Sequence, residues 1–221
     1  MASSQIVLYS CIVNKRDRPK IIEYRDDISY VLFTDDLGIK ADGWDVRPIL
    51  KKYDDPVRTS RFHKHNPFLL FPDAEYTVWL DATHWPHSSI MPILNGEMSM
   101  MRHFVRSTVK EELQACSDAK MDSVKTMTHQ FRSYVEDGFK DDQGLYSTTC
   151  VVRKNTERVK EFSEFWWREI CKWSRRDQLS LPYCLWKFPI DVSTIDGFCR
   201  TAPSPYFKMI SHYKKTKKLL C

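Results

Sequence analysis

The chain has 221 residues and a formal net charge of +5, and 42% of its residues are hydrophobic. This composition excludes a disordered chain and supports one domain spanning residues 1–221. The mild positive charge suits a nucleic-acid partner and equally a pocket for an anionic small ligand. No apolar run approaches the roughly 18 residues of a membrane span, and the N-terminus lacks the pattern of a signal peptide.

The first half of the sequence predicts four strands, with one basic helix between the third strand and the fourth. Apolar runs predict strands at residues 5–13, 28–36, 44–50 and 77–80, and residues 57–70 predict a helix that Pro67 interrupts.

The second half predicts mainly helices. Apolar residues at helical spacing predict helices over residues 97–115, 124–137 and 156–173, and a last helix starts at Ser174 and bends or ends near Pro182. A further strand is predicted over residues 144–154. Because strands alternate with helices, the predicted class is α/β, with a mostly parallel central sheet flanked by helices.

The seven cysteines are scattered and form no CxxC pair. An odd number of cysteines at such spacings indicates reduced thiols, not disulfides or a zinc site. We therefore expect a soluble cytoplasmic protein without a transmembrane segment.

Two of the predicted strands run directly into carboxylates. Asp35 and Asp36 follow the second strand, and Asp81 follows the strand at residues 77–80. Ligands of parallel α/β sheets bind outside the carboxyl ends of the strands, so these acids predict a ligand crevice. The alternative is that each aspartate caps the turn that follows its strand.

A basic stretch lies between these acids and includes Arg61 and Lys64, which share one face of a helix. Such a face suits a diphosphate held together with a divalent metal. Mg²⁺ or Mn²⁺ needs only one or two carboxylates besides the phosphates, so Asp81 is a candidate metal ligand. The alternative is a solvated basic face that pairs with Asp54 and Asp55.

The segment SRRDQLSLPYCLW, residues 174–186, is dense in polar side chains. Asp177 is a candidate catalytic residue that would orient or deprotonate an acceptor hydroxyl, with Arg176 and Gln178 contacting the acceptor. The alternative is a capping box, in which Ser174 and Asp177 only start a helix.

Four segments occur in an order typical of one family: YVLFTDD, SRFHKHNPFLLFPDAEYTVWLDA, GLYSTTCVVRKN and SRRDQLSLPYCLW. The chain resembles a plant glycosyltransferase family, first described as a domain of unknown function and linked to cell-wall and mucilage glycans. It also resembles small GT-A domains encoded by large DNA viruses of green algae. The resemblance covers most of the chain and implies a GT-A fold, a nucleotide-sugar donor and Mn²⁺ or Mg²⁺.

The resemblance also implies roles for particular residues. Asp35 and Asp36 fall where the nucleoside is held, Arg61 and Lys64 fall near the diphosphate, and Asp81 falls at the metal-binding motif. The usual motif is Asp-x-Asp, whereas this chain has Thr83 in place of the second carboxylate.

The C-terminal basic segment holds two further candidates that the resemblance suggests. His212 would complete the metal site, and Lys214 would lie near the phosphates. The alternative for this segment is a solvated, frayed terminus.

These observations predict a glycosyltransferase that moves a sugar from a nucleoside diphosphate sugar, with UDP as the nucleotide, to a glycan or glycoprotein hydroxyl. The donor would bind residues 1–95, the acceptor would contact residues 96–190, and residues 191–221 would form a tail. Two alternatives stay open. One is a nucleic-acid-binding module, and the other is an inactive domain that binds sugar nucleotides.

Overall fold

The computed structural model describes residues 5–20, 22, 25–197 and 204–209. Its strands are β1 (Gln5–Ile12), β2 (Ser29–Thr34), β3 (Asp45–Pro48), β4 (Ala74–Leu80), β5 (His84–Pro86), β6 (Met98–Arg102), β7 (Tyr146–Lys154), β8 (Val192–Ile195) and β9 (Phe207–Met209). Its α-helices are α1 (Pro56–His65), α2 (Pro67–Leu70), α3 (Val109–Asp118), α4 (Val124–Glu136), α5 (Glu157–Lys172) and α6 (Asp177–Lys187).

Seven strands form one sheet in the order β3-β2-β1-β4-β7-β6-β8, and β5 pairs with β9 in a separate ladder. Strands β3, β2, β1 and β4 are mutually parallel, and β6 is parallel to β8. Strand β7 is antiparallel to both of its neighbours, β4 and β6. Six of the seven strands therefore run in one direction. This confirms the predicted α/β class, and the arrangement is consistent with a Rossmann-like GT-A fold.

Helix α5 covers the sheet with an apolar stripe, as the spacing of its residues predicts. Val159, Phe162, Trp166 and Ile170 are all fully buried in the main core. Burial of each such side chain contributes about 1.5–3 kcal/mol. Within the described ranges, no helix is both long enough and apolar enough to cross a bilayer.

The predicted helix over residues 97–115 is wrong in its first part. Met98 and Met101 lie in β6, and α3 begins only after a loop in which Val105 is exposed. Strand β6 is covered on both faces and lies between β7 and β8, so its methionines are buried regardless of which way they point. A continuous apolar run of this kind does not distinguish a buried strand from a helix. Thr108 caps α3 in a capping box.

The start of α6 differs from the predicted capping box. The N-cap residue is Arg176, without a side-chain hydrogen bond to the helix, and Asp177 is the first helical residue. Ser174 instead donates from Oγ to Asp122 Oδ2 at 2.7 Å. The helix also continues through Pro182 to Lys187, so this proline does not end it.

Five cysteines lie in the described ranges, and all are free: Cys11, Cys116, Cys150, Cys171 and Cys184. This agrees with the expectation of reduced thiols. Burial raises the pKa of the Cys11 thiol, which keeps it protonated at neutral pH.

The strand order creates a crevice at one edge of the sheet. The chain leaves β1 towards β2 and β3 on one side, and then returns to β4 on the other side of β1. Neighbouring parallel strands whose connections leave in opposite directions open a gap beyond their carboxyl ends. The functional site is therefore expected beyond the ends of β1 and β4, where Asp81 follows β4.

Candidate functional site

A cavity of about 730 Å³ opens at this edge of the sheet. Small-molecule sites in proteins occupy roughly 300–1,000 Å³, so the volume suits a ligand as large as a nucleotide sugar. The walls come from the ends of β1 and β4, the start of β7, helices α1 and α3, and the start of α6. Four predicted site residues line this cavity together: Arg61, Asp81, Arg176 and Gln178.

The cavity has an excess of positive charge. Its charged lining consists of Arg16, Arg61, Arg106, Lys120, Arg175 and Arg176, together with Asp17, Asp81 and Glu112. Six cationic side chains against three anionic ones favour an anionic ligand, and a concave surface strengthens the field of such a cluster.

Asp81 stands at the centre of this edge, with its carboxylate held by the preceding strand. Trp79 Nε1 donates to Asp81 Oδ1 at 2.8 Å, and the Asp81 side chain is 34% exposed. Asp81 Oδ2 accepts no hydrogen bond from any residue that the structure describes. The turn after β4 is closed by the backbone, because His84 N donates to Asp81 O at 2.8 Å. The carboxylate is therefore not the cap of this turn, and Oδ2 has no hydrogen-bond partner within the described part of the chain.

A buried charged cluster lies beneath Asp81. Lys64 Nζ is 2.6 Å from Asp177 Oδ2 and 4.0 Å from Asp81 Oδ1. Arg61 Nη2 is 3.4 Å from Asp177 Oδ1, and His65 Nε2 is 3.4 Å from Asp177 Oδ2. Lys64 and Asp177 have no exposed side-chain surface, whereas Arg61 is 12% exposed. Asp177 thus pairs with three basic side chains near the end of α1.

Burial and charge shift the pKa values of this cluster in different directions. Burial lowers the pKa of Lys64 to about 8, although Asp177 opposes the shift. Burial also lowers the pKa of His65 to about 3, so this imidazole is neutral at pH 7. For Asp177, burial raises the pKa, but Arg61 and Lys64 outweigh it and hold the pKa well below its usual value. The carboxylate is therefore ionised at neutral pH.

The position of Asp177 departs from the role predicted for it. A general base must come within hydrogen-bond reach of the hydroxyl that it deprotonates. Asp177 is fully buried and does not line the cavity, and its oxygens face the cations of α1. Lys64 is likewise buried beneath the cavity rather than exposed to it. In this geometry neither side chain contacts a ligand in the cavity.

Asp35 and Asp36 lie at the end of β2 and bind the loop that follows β1. Asp35 accepts hydrogen bonds from Asn14 N at 3.0 and 3.2 Å, and Asp36 is 3.1 Å from Lys15 Nζ. Asn14 and Lys15 both have left-handed backbone conformations, with φ of 56° and 53°. The two acids therefore hold this loop and do not themselves line the cavity.

The wall opposite α1 contains two residues that the sequence did not identify. Glu112 is buried in the first turn of α3 and accepts from Arg106 Nε at 2.6 Å. Its other oxygen is 3.6 Å from Arg176 Nη2, so one carboxylate holds two arginines at the cavity. Gln178 donates from Nε2 to Tyr146 O at 3.2 Å. The predicted helix over residues 97–115 did not suggest the pairing of Arg106 with Glu112, because residues six positions apart in one helix do not lie next to each other.

The comparison with known families decides the assignment. The family model described as "TOD1/MUCI70, glycosyltransferase-like domain" matches residues 44–200. The chain belongs to this family. No curated protein matches the chain significantly. The family was identified from the sequence motifs, and the similarity to algal virus domains stays a prediction.

The matched range of the TOD1/MUCI70 family covers most of the site. It contains Arg61, Asp81 and the start of α6, which line the cavity. Asp35 and Asp36 precede it, and His212 and Lys214 follow it. His212 and Lys214 also lie outside the described residues. The roles of these four residues therefore stay predictions.

The described residues could bind a divalent metal only if a bound ligand supplied the remaining metal-coordinating atoms. Among them, no group of three or more histidine, cysteine or acidic side chains could hold a metal ion. Thr83 occupies the position of the second carboxylate, and its hydroxyl lies 3.0 Å from His84 Nδ1. Asp81 Oδ2 would supply one oxygen ligand, and Mg²⁺ sites commonly combine one or two carboxylates with phosphate oxygens and water.

Proposed function

We propose that the chain is a glycosyltransferase that moves a hexosyl or deoxyhexosyl group from a nucleoside diphosphate sugar to a hydroxyl of a glycan or glycoprotein. UDP is the proposed nucleotide. The observation that carries this proposal is the cavity at the strand-order reversal, where Asp81 stands among an excess of arginines in a chain of the TOD1/MUCI70 family. Transfer of this kind requires stabilisation of the diphosphate that departs from the anomeric carbon.

The donor is proposed to bind across the ends of β1 and β4. Arg61 lines the cavity beside Asp81 and would contact the diphosphate, with the Lys64 charge lying beneath. Asp35 and Asp36 order the loop after β1, from which Arg16 and Asp17 line the cavity. Their proposed contribution to nucleoside binding is through this loop.

A divalent ion, Mn²⁺ or Mg²⁺, is proposed to bind Asp81 Oδ2 together with phosphate oxygens of the donor. When bound, such an ion supplies positive charge to the diphosphate as it leaves. Residues of the chain orient the groups around this ion and the diphosphate. Trp79 fixes the orientation of the Asp81 carboxylate, and Arg61 supplies a planar guanidinium group.

The acceptor is proposed to enter between β7 and α6. Ser147, Thr149 and Gln178, which carry hydroxyl and amide groups, line the cavity together with Arg176, whose guanidinium is 3.6 Å from Glu112. Such groups form hydrogen bonds with sugar hydroxyls. Positioning of one acceptor oxygen at the anomeric carbon supplies much of the rate enhancement available to a site of this kind.

The five free thiols among the described residues support action in a reducing compartment such as the cytoplasm. Thr83, in the position of the second carboxylate, favours one further candidate function, which is binding of sugar nucleotides without transfer. Release of UDP from the donor separates the two, because an inactive binding domain releases none.

Thermal unfolding with a panel of nucleoside diphosphate sugars tests the proposal. A donor at a hundred times its dissociation constant is expected to stabilise the fold by roughly 2.7 kcal/mol. The same panel is run with Mn²⁺ and with a chelator, and oligonucleotides form the comparison series. A response to oligonucleotides that falls steeply with salt, with none to any donor, would favour a nucleic-acid-binding module instead.

The tail residues have a separate test. We propose that His212 adds a neutral imidazole ligand to the metal and that Lys214 contacts the phosphates. Removal of residues 211–221 is expected to weaken Mn²⁺-dependent UDP binding about tenfold or more, as loss of a metal-site partner commonly does. The measurement is UDP titration of the full and shortened chains. Equal Mn²⁺-dependent affinities would exclude both tail residues from the site.

A further inference from the structure

We propose that Asp177 is a positioning residue, which acts on the donor through Arg61 and Lys64 and takes no proton from the acceptor. The inference rests on the proposed function, because it concerns the diphosphate subsite of that cavity. It assigns to the start of α6 a part in donor binding, although the side chain of Asp177 does not reach the cavity.

The geometry of the carboxylate supports this role. Asp177 Oδ2 lies 2.6 Å from Lys64 Nζ, and Oδ1 lies 3.4 Å from Arg61 Nη2. Each oxygen therefore faces a different cation of α1. Of these two cations, Arg61 also lines the cavity, and Lys64 lies 4.0 Å from Asp81 Oδ1. The carboxylate is thus separated from the cavity by Arg61 on one side, and by Lys64 followed by Asp81 on the other.

The charges explain why the carboxylate is needed. Two cationic side chains at the end of α1 repel each other, and Arg153 adds a third buried cation whose Nη1 donates to Lys64 O at 3.1 Å. His65 adds no charge at neutral pH. A buried cation without a counter-ion is strongly destabilising. Asp177 is the carboxylate that neutralises part of this charge, so Arg61 keeps its position at the cavity.

The same residue also links the two sides of the cavity. Its sequence neighbours, Arg176 and Gln178, line the proposed acceptor side, whereas its ionic partners belong to α1 on the donor side. Because Asp177 is the first residue of α6, its ion pairs fix the start of that helix relative to α1. One buried carboxylate therefore sets the spacing between the donor and acceptor subsites.

The experiment compares Asp177→Asn, Arg61→Gln and the double variant, with UDP as the probe in the presence of Mn²⁺. Each single variant is expected to weaken UDP binding about tenfold or more, since each loses a charge-assisted contact. The double variant is expected to bind within about threefold of the weaker single variant, because Arg61 is the one of the two cations that lines the cavity, so its loss removes most of the effect of Asp177 on the donor. Asp142→Asn, an exposed carboxylate outside the cavity, is the matched control and should bind UDP as the unmodified chain does.

Each outcome decides the proposal. If Asp177→Asn binds UDP normally and only transfer collapses, Asp177 is the base and the positioning role is overturned. Multiplied losses in the double variant would also overturn it, since the two residues would then act independently. If Asp177→Asn does not fold, Arg61→Gln alone decides, and unchanged UDP affinity in that variant excludes the proposal. Failure of the unmodified chain to bind UDP would instead count against the proposed function.

Discussion

Replacement of Asp81 by asparagine is expected to abolish the dependence of UDP binding on Mn²⁺. The change removes the charge that would hold the ion, while the asparagine Oδ1 still accepts the hydrogen bond that Trp79 donates at 2.8 Å. Turnover is expected to fall on the order of 100-fold, as it does when one fixed stabilising group is lost from a site of this kind. The measurement is UDP titration with Mn²⁺ and with a chelator, together with donor turnover.

The change in UDP affinity without metal distinguishes the loss of a metal ligand from a loss of structure. Asp81 repels phosphate when no metal is present, so Asp81→Asn should bind UDP without metal at least as tightly as the unmodified chain. Asp73→Asn is the matched control, because Asp73 is exposed just before the opposite end of β4. Retained Mn²⁺ dependence in Asp81→Asn would remove Asp81 from the metal site.

The protein is expected to lose stability steeply as the pH falls from 6.5 to 4. Burial lowers the pKa of His65 to about 3, and its ordinary value is 6.5. Between these values the unfolded chain binds a proton that the folded chain excludes, so stability is full above pH 6.5 and decreases on acidification. Over the interval from pH 6.5 to 4, this one group lowers the free energy of unfolding by about 3 kcal/mol.

Two other groups act in the same direction. Burial lowers the pKa of His63, which adds to the loss over the same range. For Asp177, burial raises the pKa, but the cations of α1 hold it well below 3.8, so its contribution is present above that value and is lost at lower pH. Lys64, with a pKa of about 8, stays protonated throughout.

Denaturant unfolding at several pH values measures this loss. His65→Gln should flatten the pH dependence by about 3 kcal/mol between pH 6.5 and 4, because glutamine does not titrate. His129 is exposed on α4, and His129→Gln should leave the slope unchanged. A slope in His65→Gln equal to that of the unmodified chain would show that His65 is not the group responsible.

The sequence determined those features that follow from local patterns. Strands β1, β2, β4 and β7 and helices α4 and α5 lie within a few residues of their predicted positions, because alternation and helical spacing are properties of short segments. The position of Asp81 just after β4 could be predicted because the apolar run at residues 77–80 ends directly before it. Arg61, Asp81, Arg176 and Gln178 were identified by residue type, and the cavity contains all four.

Only the tertiary structure decided which of these polar residues face the ligand. Lys64 and Asp177 were predicted to contact the donor and the acceptor, but both are buried, because the first residue of α6 forms an ion pair with the end of α1. The ion pair between Arg106 and Glu112 could be recognised only after β6 was located between β7 and β8, since Arg106 then lies in the loop before α3. Burial and ion pairing join residues far apart in the chain, and no local spacing carries that information. Local patterns therefore located the site, whereas long-range packing assigned Asp177 its place beneath it.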